Sequence, residues 1–404
     1  MSMILEGIKI VDLGLLHAAP SAAAMLGDLG AEVIKVEEPN VGDPLRGLAK
    51  MLGMSVQMPS GRHVPFEDAN HSKKGITLNL RKPQGKEILY KLVEKSDVFV
   101  TNYREQALKS MAMDYETLRR YNPCLIYGFA STLGTHGPDR DLPGIDMIGQ
   151  ARSGIMMQSG EEDMPPVLLP TGTCDRVTSI FLAYGIIAAL FARERLGVGQ
   201  RVHVSMLGAM INLQSWILAP MLMLGKEFPR WNRRKNRYPL YNYFQCKDGC
   251  WLALPLYQGD RYFPVLCKQL CLPELLQDPR FADDDKRAEN AEALNLILEK
   301  VFATKTCREW QKILGQADLL FAPIQRCSDL LTDPQVIAND YIVNWDHPAE
   351  GHIRYVGFPV EFSETPLKYI SAAPELGQHT EEVLQQILGY NWEQIGQLRE
   401  AGVI

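Results

Sequence analysis

The sequence predicts an α/β protein: a Rossmann-like large domain on a parallel sheet, plus a smaller α+β domain. Three observations carry that expectation. Residues 8–12 (IKIVD) alternate apolar and polar, residues 20–29 (PSAAAMLGDL) form a small-residue helix pattern, and residues 31–37 (AEVIKVE) alternate again. Strand, helix and strand within about thirty residues make a βαβ unit, whose crossover sets the two strands parallel. The pattern then repeats through strand 75–80, helix 83–95, strand 96–101, helix 115–121 and strand 124–129. Finally, 404 residues exceed the size at which one core usually stops growing, which calls for two domains.

The expected boundaries are 1–224 for the N-terminal part of the large domain, 225–340 for the small domain and 341–404 for a C-terminal return to the large one. The polar, basic segment 225–236 marks the first change. After it come a hairpin at 241–254 and helices at 258–270 and 291–303. The return closes with helices near 380–388 and 391–401, where Asn391 and Gln394 are spaced as a capping box.

Composition narrows the function. An apolar share of 46% with 22% charged residues is that of a soluble globular chain, and a net charge of −6 argues against nucleic-acid partners. No basic-then-apolar leader opens the sequence, so a cytoplasmic location is expected. No membrane association is expected either. Residues 180–192 are too few to span a bilayer, and 206–224 carry Asn212, Gln214, Ser215 and Pro220, as a buried or subunit-interface helix would. The eight cysteines read as reduced thiols. Cys246, Cys250, Cys267 and Cys271 have x3 rather than x2 spacing, and Lys247-Asp-Gly249 reads as a hairpin turn, so no metal site is expected.

The first strand–helix turn holds only Gly14, short of the dinucleotide fingerprint G-x-G-x-x-G; Glu37 at the end of the second strand does not by itself make a nicotinamide enzyme. Attention moves to Asp175, in TGTCDR (171–176), directly before the apolar helix pattern 180–190. A carboxylate in the first turn of a helix is held ionised by the dipole, which suits a nucleophile. It equally suits an ordinary helix start, with Thr173 or Asp175 itself as cap.

Nine segments in order settle the reading in favour of chemistry. They are LEGIKIVDL (5–13) with Ala19-Pro20, LGAEVIKVE (29–37), VGDPLR (41–46), GITLNL (75–80), DVFVTNY (97–103), NPCLIY (122–127), GVGQRVHVSM (197–206), Ala322-Pro323 with DPQ (333–335), and LGQHT (376–380). Together they resemble the family III CoA-transferases, which include formyl-CoA and carnitine CoA-transferases and the 2-methylacyl-CoA racemases.

The resemblance implies an interlocked-ring dimer, each subunit threaded through its partner, with the active site between one subunit's large domain and the other's small domain. A homodimer is expected, with a heterodimer of homologous subunits as the alternative. It implies acyl-CoA and a small carboxylic acid as substrates, with no permanently bound cofactor. The family nucleophile falls on Asp175, which would form mixed-anhydride and aspartyl-CoA thioester intermediates. His17 stands where formyl-CoA transferase has glutamine, and Asp146 matches an acidic residue near the nucleophile; both are candidates for a supporting role, with a solvated loop histidine and a helix cap as the respective alternatives. Leu78, Arg81, Asn102, Tyr103, Ala107 and Met111 fall on positions that cradle CoA, while Glu38 and Ser110 replace arginines of the family.

The racemases resembled here place a histidine immediately before the residue matching Asp146. Ile145 occupies that position and cannot move a proton, which favours transfer over racemisation. A non-enzymatic acyl-CoA-binding subunit is the further alternative. No glycine run occurs between 220 and 260, unlike the formyl-CoA enzyme. That stretch holds Arg233, Arg234 and Arg237 beside Tyr238, Tyr241 and Tyr243. Arginine matches carboxylate geometry, so these residues suggest a second carboxylate on the substrate, as in succinate or an aryl-succinate. The small-domain segment 243–249 resembles carnitine CoA-transferase and suggests a carnitine-type acid instead.

Overall fold

The structure is a computed structural model in which residues 3–367 and 371–404 are described. It divides into two compact units: Met1–Met156, Leu168–Glu227 and Val343–Ile404 make the first, Met157–Val167 and Phe228–Ile342 the second. Residues 157–167, expected in the large domain, belong to the second unit for a physical reason. Glu161 bridges to Trp231, and Arg230 donates to the carbonyls of Ser159 and Pro165.

The first unit is built on six parallel strands: β1 (Lys9–Leu13), β2 (Glu32–Glu37), β3 (Lys73–Thr77), β4 (Val98–Thr101), β5 (Ile126–Ser131) and β6 (Gln200–Ser205). Their order is β3-β2-β1-β4-β5-β6, with Ile10 opposite both Val33 and Val98. The two-residue period sorts the core. Ile10, Val33, Val98 and Val100 face one cluster, and Val11, Ile34, Val36 and Phe99 face the other. Strand β3 starts earlier than the expected 75–80, because Lys73 is buried and its ammonium fully hydrogen-bonded inside, which hides the strand from a hydropathy pattern.

On the first face lie α1 (Ala18–Asp28), buried along its whole length, and the 24-residue helix Thr173–Leu196. Small side chains on α1 and Gly128 on β5 permit close packing; a Cβ at Gly128 would come 2.8 Å from Ile186. The long helix corrects the expectation of a short apolar stretch. By length and composition it is able to cross a membrane. It is nevertheless a core helix, with Leu182, Ile186, Ala189 and Leu190 buried against the sheet.

Residues 206–224 form two helices, Met206–Leu213 and Ser215–Leu224, bent by 81° at Gln214. The second of these buries no residue, so of the two expectations, a buried or a subunit-interface helix, the buried one does not hold for it. The second face of the sheet is covered by Pro83–Glu94 and by the chain end. There Thr380–Gln386 and Trp392–Glu400 contribute Val383, Leu384 and Ile395, and the Asn391–Gln394 capping box is present.

The second unit carries an antiparallel sheet of Tyr241–Gln245, Trp251–Pro255 and Ala322–Ile324, with the middle segment central. Helices Gly259–Leu270, Ala291–Phe302 and Cys307–Leu314 pack on it around Phe244, Leu252, Phe263, Phe302 and Trp310. Cys246 and Cys267 are buried, whereas Cys250 and Cys271 are exposed.

Candidate active site

In a parallel sheet of this order the connections leave β1 and β4 in opposite directions, which opens a crevice at the carboxyl ends of those strands. The segment after β1 (Leu15, Leu16, His17), the segment after β4 (Asn102, Tyr103) and the end of β5 (Ala130, Ser131) line a cavity of ≈ 1220 Å³. Asp175, Asp146 and Ala107 line the same cavity, with apolar walls that include Leu45, Met51, Met58, Val64 and Ile353.

Asp175 occupies the first turn of Thr173–Leu196, which begins after Gly172 in a left-handed conformation (φ 89°). Neither of the caps expected from sequence forms: the Thr173 hydroxyl donates to Pro170, and Asp175 does not cap its own helix. The cap comes from another helix, α2 (Asp146–Arg152). Asp146 Oδ1 accepts from the amides of Cys174 (2.7 Å) and Asp175 (3.1 Å), while Oδ2 accepts from Gln150 Nε2 (2.7 Å). Two otherwise orphaned amides are thereby satisfied.

Asp175 itself receives no side-chain hydrogen bond among the described residues, and its carboxyl is pushed up to about 6. Burial is the main cause, opposed by His17 and reinforced by Asp146. Loss of hydration thus works against the ionised form that a helix start favours.

The backbone leading to His17 is held at five points. Gly14 N–H donates to Asp12 Oδ1 (2.9 Å) and Gly14 C=O accepts from Lys35 Nζ (3.0 Å). Leu15 N–H donates to Asn102 Oδ1 (2.8 Å), and its carbonyl accepts from Asn102 Nδ2 (2.7 Å). Leu16 N–H donates to Asp43 Oδ1 (3.2 Å), although Leu16 sits at φ 59°, a strained conformation for a γ-branched residue.

Beneath the loop, Lys35 pairs with Asp43 at 3.0 Å and Lys73 with Asp12 at 2.7 Å, all four residues being buried. Burial draws the Lys73 ammonium down to about 8. Sequence reasoning missed this cluster. Its one visible trace is a charged residue inside each strand pattern, Asp12 in IKIVD and Lys35 in EVIKVE.

The six positions matched to CoA binding separate. Asn102, Tyr103 and Ala107 line the cavity. Leu78 instead lies in the core, Met111 packs on that core half-buried, and Arg81 is exposed, near enough to Glu38 to help hold its carboxyl below the usual range. Arg104, not singled out from sequence, also lines the cavity, as does Ile145, whose side chain is exposed.

The arginines expected to bind a second carboxylate belong to the second unit. Arg233 pairs with Glu161 and Glu299 and lies over Tyr243 and Trp251, and Arg234 also pairs with Glu299. Both guanidinium groups thus have carboxylate partners within this unit, although Nη1 of Arg233 is buried with no hydrogen-bond partner. Arg237 lines a separate pocket of ≈ 320 Å³ with Tyr238, Asp284, Asp285 and Arg287.

This arrangement, a desolvated carboxylate at the switch point of a doubly wound sheet, accords with what the chain resembles. It belongs to CoA-transferase family III, matched over residues 5–380. It is similar to the (R)-2-hydroxy-4-methylpentanoate CoA-transferase of Clostridioides difficile, with 36% identity and 100% of both chains covered. It is also similar to the cinnamoyl-CoA:phenyllactate CoA-transferase of Clostridium sporogenes, 34% identical over 98% of this chain and 96% of that one. Among solved structures, a CaiB/BaiF family protein from Brucella suis superposes with a TM-score of 0.84 at 28% identity, covering 96% of this chain and 100% of its own. The protein is therefore a family III acyl-CoA:carboxylate CoA-transferase, with acyl-CoA as a substrate.

Proposed function

We propose that Asp175 is the nucleophile of the transfer. The observation that carries this reading is its half-buried carboxylate, which receives no side-chain hydrogen bond among the described residues and is pushed up to about 6 by loss of hydration. Such a group is still mostly ionised at neutral pH but more basic, hence more nucleophilic, than an exposed aspartate. An Asp175 oxygen attacks the donor thioester carbonyl and expels CoA thiolate, leaving a mixed anhydride. The thiolate attacks the aspartyl carbonyl, releases the donor acid and forms an aspartyl-CoA thioester. The acceptor carboxylate displaces CoA from that thioester as a second mixed anhydride, and the thiolate then takes the acceptor's acyl group and frees Asp175. Each step exchanges one activated acyl bond for another, so the residues need mainly to exclude water and stabilise oxyanions.

Asn102, Tyr103 and Ala107 are the residues we assign to the CoA side of the cavity. For the acid, the apolar walls favour a monocarboxylate with an apolar tail over the succinate-type dicarboxylate, whose arginines Arg233 and Arg234 are spent on Glu299. A carnitine-type acid is the second reading, favoured by the acidic residues Asp68 and Asp146 in the cavity, which suit a cationic tail. The working form is an interlocked homodimer. The exposed Trp216, Leu222, Met223 and Leu224 of Ser215–Leu224 support a covered face there.

The test is incubation with acyl-CoAs plus hydroxylamine, followed by peptide mass mapping. A hydroxamate is expected on Asp175 and none in Asp175→Ala, which loses transfer. Full activity in that variant, or modification elsewhere, would sink the mechanism.

A further inference from the structure

We propose that Asp68 is a positioning residue for the transfer, acting through His17 on the carboxylate of Asp175. The proposal rests on Asp175 as the nucleophile and adds the device that keeps it reactive. His17, immediately before α1, is held at both ring nitrogens: Nε2 stands 3.3 Å from Asp68 Oδ2, and Nδ1 stands 3.3 Å from Ser21 Oγ. An imidazole gripped on both sides has a fixed plane and fixed N–H directions.

Asp68 is held in turn from the C-terminal segment. The Tyr355 hydroxyl lies 3.2 Å from Asp68 Oδ1 and 2.9 Å from His71 Nδ1, and His71 Nε2 lies 3.0 Å from Asp28. A chain of imidazole, carboxylate, phenol, imidazole and carboxylate thus runs from the cavity into the first unit. His17, Asp68, Tyr355 and Asp175 all line the same cavity. Ser179 fixes the spacing between them, with its hydroxyl 2.7 Å from the Ala18 carbonyl and 2.8 Å from that of Asp175.

The charged neighbours are countable. His17 is faced by Asp68 and Asp175, while Arg176 and His71 act on Asp68, and Asp146 acts on Asp175. Burial pushes Asp68 up, but the hydrogen bond and charge of His17, then Arg176 and His71, bring it down to about 2. Asp68 is therefore an anion throughout the working range, a constant anchor for His17. His17 in turn is the group that opposes burial and Asp146 at Asp175. Without Asp68 the imidazole loses the contact that orients it, its opposition to burial at Asp175 weakens, and the nucleophile is protonated at higher pH.

Asp68 lies on the short helix Val64–Asn70 with its side chain 38% exposed, so Asp68→Asn is a mild change for the fold. The experiment measures kcat/KM against pH for the wild type, Asp68→Asn, His17→Ala and the double variant, with Tm alongside. In Asp68→Asn we expect the acid limb to move to higher pH and kcat at pH 7 to fall about tenfold, with the acyl-CoA KM within about twofold. Asp68→Glu should recover part of the loss, and the double variant should be no worse than His17→Ala. A pH-independent loss that tracks Tm, or an Asp68→Asn effect undiminished in the His17→Ala background, would overturn the proposal. Hydroxamate mapping separates the two ideas: wild-type protein unlabelled at Asp175 refutes the nucleophile, whereas labelling in Asp68→Asn with an unmoved acid limb refutes the positioning role.

Discussion

Two regions of the chain present charged side chains that look functional, and the structure treats them in opposite ways. The basic run 230–237 spends its charge locally: Arg230 on backbone carbonyls, Arg233 on Glu161 and Glu299, Arg234 on Glu299. In the first turn of Thr173–Leu196 another residue, Asp146, takes over capping, and Asp175 is left half-buried with no side-chain hydrogen bond among the described residues. Paired charges hold a fold together, whereas a carboxylate without a hydrogen-bonding side chain is a candidate for chemistry. The density of charge in a sequence window does not distinguish them, and partner identity does.

The sharpest way to break this contrast is to remove the cap. Asp146→Ala orphans two amides and Gln150 Nε2, and should cost about 3 kcal/mol of stability, read as a lowered urea midpoint. It should also move the acid limb of kcat/KM to lower pH, because one of the influences that raise Asp175 is gone. An unchanged midpoint would show that the cap is dispensable.

Next in size is Asp175→Asn. The folded pKa of about 6 lies above the ordinary 3.8, so Asp175 supports the fold fully below pH 3.8, and that support is lost as pH rises through 6. The neutral amide should therefore stabilise the protein at pH 7.5 by on the order of 2 kcal/mol, a gain that shrinks towards pH 4. Denaturant midpoints at both pH values check it, and a pH-independent difference contradicts it. Smallest is Arg234→Ala, at a half-exposed pair, which should change stability by less than about 1 kcal/mol and transfer rate by less than about twofold. A large loss of rate with a dicarboxylic acceptor would restore the arginines to the substrate site.

The sheet was legible because its strands carry a two-residue apolar period, and the start of the long helix because a Gly-containing turn precedes an apolar run. Asp175, by contrast, stood out only through the resemblance carried by the nine segments. What stayed hidden depends on contacts between distant positions. A capping role for Asp146 is readable in the sequence, but not that the helix it caps is the distant Thr173–Leu196. Lys73 looks like a surface lysine until Asp12, Pro20, Ala69 and Asn70 surround it. Asp68, in VPFEDAN, reads as an ordinary helix-face acid, and only the packing of His17 and Tyr355 gives it a task.

The loop 14–16, pinned at five backbone groups, cannot reshape itself around a substrate. The far walls of the cavity are built otherwise, from Met51 and Met58 and from the hairpin segment Ile353–Val356, all exposed or half-buried. Variation at Met51, Met58, Ile353 and Val356 would reshape the cavity while the pinned loop stays as it is, but Tyr355, whose hydroxyl reaches Asp68, ties that wall to the His17 side.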